Sequence, residues 1–117
     1  MKIDYNLQFN ENNKLQHFLN IENLSKEHIN EIIDLADSYI NNDSNKFKDL
    51  EGKTIASLFF EPSTRTKTTF ELASKRLSAD FINIDIANSS TLKGESILDM
   101  IKTLEAMECD MFIVRHS

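Results

Sequence analysis

Glycine is nearly missing from this chain: Gly52 and Gly94 are the only two in 117 residues. That scarcity excludes a nucleotide P-loop and a Gly-x-Gly-x-x-Gly dinucleotide turn, both of which need several glycines so that backbone can approach phosphate. Cysteine is as rare. Cys109 stands alone, so no intramolecular disulfide and no cysteine-based zinc site can form. Its apolar and acidic neighbours predict a small residue packed beside a strand. Long apolar runs are absent, and the first residues lack the apolar stretch of a signal peptide, which predicts a cytoplasmic protein without a membrane partner. Positive charge is in the minority, 13 Lys and Arg against 19 Asp and Glu for a net charge of −6. The surface as a whole therefore offers nucleic acid no electrostatic attraction. Any anion must be held by local donors working against the global sign.

What is there suits one small folded domain, with 40% hydrophobic and 27% charged residues. Residues 1–14 carry no period and are expected to be a flexible extension; residues 15–117 are expected to form the domain. Ile29, Ile32, Ile33, Ala36 and Ile40 fall at helical spacing behind Ser25, a good N-cap, with Glu27 in the first turn. His17 and His28 read as surface helix residues. After Gly52 the pattern changes. TIASLFF (54–60) is a short apolar run suited to a strand covered on both faces. Phe70, Ala73 and Leu77 then mark a helix, FINIDI (81–86) a second strand, Ile97, Leu98, Ile101 and Leu104 a further helix, and MFIV (111–114) a third strand. Met100, Met107 and Met111 read as core filling. This alternation predicts an α/β fold, a three-layer arrangement around a parallel sheet.

In such sheets ligands gather at the carboxyl ends of the strands. Three polar stretches fall there: Ser63 to Lys67, Asn88 to Lys93, and Arg115 with His116. The first of them switches abruptly from aromatics to donors, in FFEPSTRTKTTFE (59–71). A helix's first turn leaves about four backbone N–H groups unpaired and favours negative charge. Ser63, Thr64 and Thr66 add hydroxyls to that ring, Arg65 adds a planar fork, and Pro62 fixes the entering backbone without an N–H to orphan. Phosphate is the ligand that fits such a ring. The competing reading is that Ser63 merely caps a solvated helix turn, Lys93 is a loop lysine, and Arg115 belongs to a frayed end.

FFEPSTRT (59–66) resembles the carbamoyl-phosphate signature of the aspartate and ornithine carbamoyltransferases. SSTLKGE (89–95) and VRH (114–116) are similar to the mobile loop and the third strand end of the aspartate branch, and FLNIENLSKEHINEIIDLA (18–36) to the family's opening helix. The likeness spans residues 17–117. Lys67 stands where the family commonly has arginine. The chain ends before the family's His-Pro-x-x-Gln segment and aspartate-binding domain, so the resemblance implies an N-terminal, partial carbamoyl-phosphate domain.

The resemblance also implies a reaction. The α-amine of L-aspartate attacks the carbonyl carbon of carbamoyl phosphate, giving carbamoyl aspartate and phosphate, in pyrimidine biosynthesis, without metal or cofactor. Ser63, Thr64 and Thr66 would hold the phosphate, and Arg65 would neutralise the leaving group. Thr66 and Arg115 would polarise the carbamoyl oxygen. Ser89 and Lys93 would reach a neighbouring subunit's site in a homotrimer, beside L-aspartate. An ornithine carbamoyltransferase, disfavoured by Lys93 and by Arg115 with His116, and a stand-alone anion-binding module without turnover are the alternatives.

Overall fold

A computed structural model describes residues 2–86 and 96–116. The chain divides into two compact units, Met1–Asp43 and Ser44–Ser117.

The second unit carries a sheet of β1 (Thr54–Phe59), β2 (Asp80–Asp85) and β3 (Met111–Arg115), with α2 (Thr64–Arg76) and α3 (Ile97–Ala106) between them. The order across the sheet is β2-β1-β3, and both pairings are parallel. The expected α/β fold is therefore the observed one. β1 is central because it is the most uniformly apolar strand: from Ile55 to Phe59 every residue is buried. The tight turn that feeds it has Gly52 at φ +83°, a left-handed conformation that favours glycine. α3 starts at Ser96, whose hydroxyl accepts from the Asp99 N–H at 3.0 Å. Its Met100, Ile101 and Leu104 pack with Ala56, Leu58, Ile84, Ile86, Cys109 and Phe112 on one face of the sheet. α2 lies over β1 and β2.

Cys109 sits in that core as expected. Burial first, and the neighbouring Asp110 carboxylate second, push its thiol pKa upward. Two expectations about packing need correction. Of the three methionines read as core, Met100 is buried, whereas Met107 and Met111 are 69% and 46% exposed. The α2 stripe is likewise displaced: Ser74 is buried, while Phe70 and Ala73 are exposed.

The first unit contains a 3-10 turn at Tyr5–Gln8 and the helix α1 (Lys26–Ile40). Lacking a hydrophobic period, residues 2–24 hold their shape through polar groups. Gln8 is fully buried; its Oε1 accepts from the Leu19 and Asn20 N–H groups at 2.6 and 2.9 Å. A bridge joins Phe9 to Leu15, and Asn10 Oδ1 accepts from the N–H groups of Asn12 and Lys14 inside the hairpin it closes. α1 begins at Ser25 with a reciprocal capping box to His28. His28 is a further correction to the sequence reading, for it is 7% exposed rather than a surface residue; His17 is exposed but lies outside any helix.

Candidate functional site

The parallel register determines what meets at the carboxyl ends. Arg115 pairs with Phe59 across the β1–β3 ladder, and the Phe60 N–H donates to the Arg115 carbonyl at 2.9 Å, extending the ladder one residue past β1. The Arg115 side chain is thereby delivered to the turn between β1 and α2. There its Nε donates to Glu61 Oε1 at 2.8 Å, and its Nη1 donates to Ser63 Oγ at 2.6 Å and Thr66 Oγ1 at 3.1 Å. One guanidinium thus ties three residues of the turn to the end of a strand about fifty positions further along the chain.

Ser63 occupies the N-cap position of α2, with an extended φ of −157°, yet makes no side-chain capping bond. Its hydroxyl oxygen faces Arg115 instead. The helix's first backbone bond runs from the Lys67 N–H to the Ser63 carbonyl at 3.0 Å. The amides of Thr64, Arg65 and Thr66 precede that bond, and they are the groups that a helix start leaves without intrahelical acceptors. Positive dipole, free amides and a guanidinium therefore share one end of α2.

The residues predicted for the site fall into three sets. Ser63, Thr66 and Arg115 come together directly. Thr64 and Arg65 lie in the first turn of α2, exposed, and the Arg65 carbonyl accepts from Thr69 Oγ1 at 2.8 Å; neither is among the hydrogen-bond partners of Arg115. Ser89 and Lys93, with the rest of the 87–95 stretch, lie outside the described residues.

One participant, Glu61, was missed, and His116, placed beside Arg115 at the strand end by the sequence, packs on Phe60. Glu61 forms an ion pair with Arg115 in which both side chains are part exposed, at 35% and 44%. His116 sets its ring against Phe60, with centroids 4.8 Å apart and planes tilted by 50°. Glu61 was legible as the acid inside FFEPST, but its partner is 54 positions away. Among the described residues no group of three or more His, Cys, Asp or Glu could hold a metal ion, and no helix is long and apolar enough to cross a membrane.

Fold and site together define a class: α/β proteins that collect their polar groups where parallel strands end and helices begin. Within that class the chain belongs to the aspartate/ornithine carbamoyltransferase family, whose carbamoyl-P binding domain model matches residues 16–117. Among solved structures it is similar to the catalytic subunit of M. jannaschii aspartate transcarbamoylase, with 38% identity and a TM-score of 0.76 over 87% of this chain and 34% of that one. Aspartate transcarbamoylase from Trypanosoma cruzi, in complex with aspartate and phosphate, is 34% identical with a TM-score of 0.72 over 81% of this chain and 31% of that one. The same enzyme in complex with carbamoyl phosphate and aspartate gives 34% and 0.72 over 81% and 30%. This chain spans about a third of the length of those structures.

Proposed function

We propose that the β1–α2 turn and Arg115 form the carbamoyl-phosphate site of an aspartate carbamoyltransferase acting in pyrimidine biosynthesis. The observation that carries this reading is the convergence of Arg115 Nη1 on the Ser63 and Thr66 hydroxyls at the start of α2.

The phosphate oxygens sit on the first-turn amides and the hydroxyls of Ser63, Thr64 and Thr66, where the helix dipole favours a dianion. Arg65 faces the charge that builds on the leaving phosphate. Thr66 and Arg115 hold the carbamoyl oxygen. As the α-amine of L-aspartate adds to the carbonyl carbon, that oxygen becomes an oxyanion, and donors already in place stabilise it without reorganising. The C–O bond to phosphate then breaks, and phosphate departs with the bonding electrons and the proton that the attacking amine gives up. Glu61 keeps the Arg115 guanidinium oriented through Nε while the Nη1 edge serves the ligand. Ser89 and Lys93 act from a neighbouring copy, in a homotrimer. The acceptor amino acid is bound by the part of the relatives' length that this chain does not span, so these 117 residues alone bind carbamoyl phosphate without turning it over.

The aspartate reading is preferred to the ornithine one because the solved structures matched are aspartate transcarbamoylases and because the chain carries Lys93 and the Arg115-His116 ending. The test is carbamoyl transfer to aspartate and to ornithine by a chain of the relatives' full length carrying this segment. Carbamoyl aspartate is the expected product. Turnover with ornithine alone would reject the substrate assignment, and turnover by the 117 residues alone would reject the division of labour.

A further inference from the structure

The end of β3 is held from both faces of the sheet, and only one of the two contacts belongs to the proposed chemistry. The β1–β3 ladder closes with the Phe60 N–H donating to the Arg115 carbonyl at 2.9 Å. The Phe60 side chain packs against the core of Ala56, Leu58 and Met100 on the face that α3 covers. The His116 ring meets it there, with centroids 4.8 Å apart and planes tilted by 50°. Arg115 points the other way, its guanidinium among Glu61, Ser63 and Thr66 at the start of α2. Successive residues of an extended chain alternate faces. A ring pinned on one side therefore fixes where the neighbouring side chain emerges on the other.

That pin matters because the strand end has little else to hold it. β3 is paired along one edge only among the described residues, with β1, and strand ends open more readily than strand centres. Arg115 and His116 are both exposed. An anion that takes over Nη1 competes with the bonds to the Ser63 and Thr66 hydroxyls. The guanidinium then keeps its tie to Glu61, a part-exposed ion pair that contributes little. The Phe60–His116 contact lies on the opposite face and is untouched by the ligand.

We infer that His116 is a positioning residue: its ring, seated on Phe60, anchors the end of β3 so that the Arg115 guanidinium reaches the first turn of α2. The inference rests on the carbamoyl-phosphate site proposed above and adds the residue that keeps one of its donors in place. The imidazole acts as a ring and not as an acid or base, because it faces away from the ligand donors. An aromatic pair of this kind changes the population of the anchored strand end by about two- to tenfold. Only that population presents Arg115, so affinity for the anion falls by the same factor at most when the ring is lost.

The experiment is calorimetric titration of the 117-residue chain with carbamoyl phosphate and with inorganic phosphate, in wild type, His116→Ala, His116→Phe and Arg115→Ala. His116 is exposed, so its variants fold and thermal unfolding should scarcely move. His116→Ala should bind both anions about two- to tenfold more weakly, a smaller loss than that of Arg115→Ala. His116→Phe should restore wild-type affinity, a rescue that a role through charge or hydrogen bonding would not give. The Arg115 Nε–H should exchange with water faster in His116→Ala and at the wild-type rate in His116→Phe. Wild-type affinity in His116→Ala beside a loss in Arg115→Ala would overturn the anchor and leave the site standing. No loss in either variant would remove the site and the anchor together. Binding by His116→Phe as weak as that of His116→Ala would overturn the anchor as well, since the ring alone would then not be what acts.

Discussion

Removing the Arg115 side chain should separate ligand binding from stability more cleanly than any other substitution. Arg115→Ala deletes an ion pair to Glu61 in which both side chains are part exposed, the kind of pair that contributes about 0–1 kcal/mol. The hydroxyls of Ser63 and Thr66 that it leaves behind can turn to water. Unfolding should therefore shift by only a few degrees, at about 4–8 °C per kcal/mol for a domain of this size. Anion binding should suffer far more. A charge-assisted hydrogen bond is worth about 1.5–3 kcal/mol, or about 10–150-fold in Kd. Glu61, 2.8 Å from the guanidinium in the intact protein, would be left unneutralised beside the incoming dianion and should deepen the loss. The double variant Glu61→Gln/Arg115→Ala should accordingly bind better than Arg115→Ala alone. Calorimetric titration with phosphate and with carbamoyl phosphate, run beside thermal unfolding, reads both effects. Equal affinity in Arg115→Ala and wild type would refute the role of Arg115, and a collapse in stability without a specific affinity loss would make it structural.

The serines at two helix starts should respond differently: Ser96→Ala removes a real cap and should cost about 1 kcal/mol. Ser63→Ala, where no side-chain capping bond exists, should leave urea unfolding almost unchanged while weakening phosphate binding. Leu58→Ala, at a position with no exposed surface, should cost about 2–5 kcal/mol, visible as a lower urea midpoint at unchanged slope. Cys109 should alkylate far more slowly in the native chain than in denaturant. Because its folded pKa is raised, its contribution to stability is complete below the unfolded thiol's pKa and lost as pH rises through the folded value; stability that rises with pH across that alkaline window would contradict this.

The sheet was legible because its central strand is a nearly unbroken apolar run: Ile55 to Phe59 admits few other readings, and the alternation of strands with helices predicts the parallel topology. The side of each helix that packs was less legible. Phe70, Met107 and Met111 look like core but are exposed, since hydropathy says that a side chain is apolar and not whether this chain supplies its cover. The polar start of the chain defeated periodicity altogether, because Gln8, Asn10 and Asn20 organise it through side-chain bonds to the backbone and to each other, which leave no repeat. His28 was misread for the same reason: its burial depends on a hairpin that no pattern announces. In the site, Ser63, Thr66 and Arg115 were visible as donor-type residues at strand ends. The role of Glu61 was not, because an ion pair across 54 positions depends on register that only the folded sheet supplies.

The central claim is that one end of α2 and the end of β3 grip the same ligand, and titration of the labelled chain with carbamoyl phosphate tests it most directly. The account predicts that the amides of Thr64, Arg65 and Thr66 and the Nε–H of Arg115 shift together along one saturating curve. Saturation with those four signals unmoved, or shifts confined to α2 while Arg115 stays fixed, would contradict it.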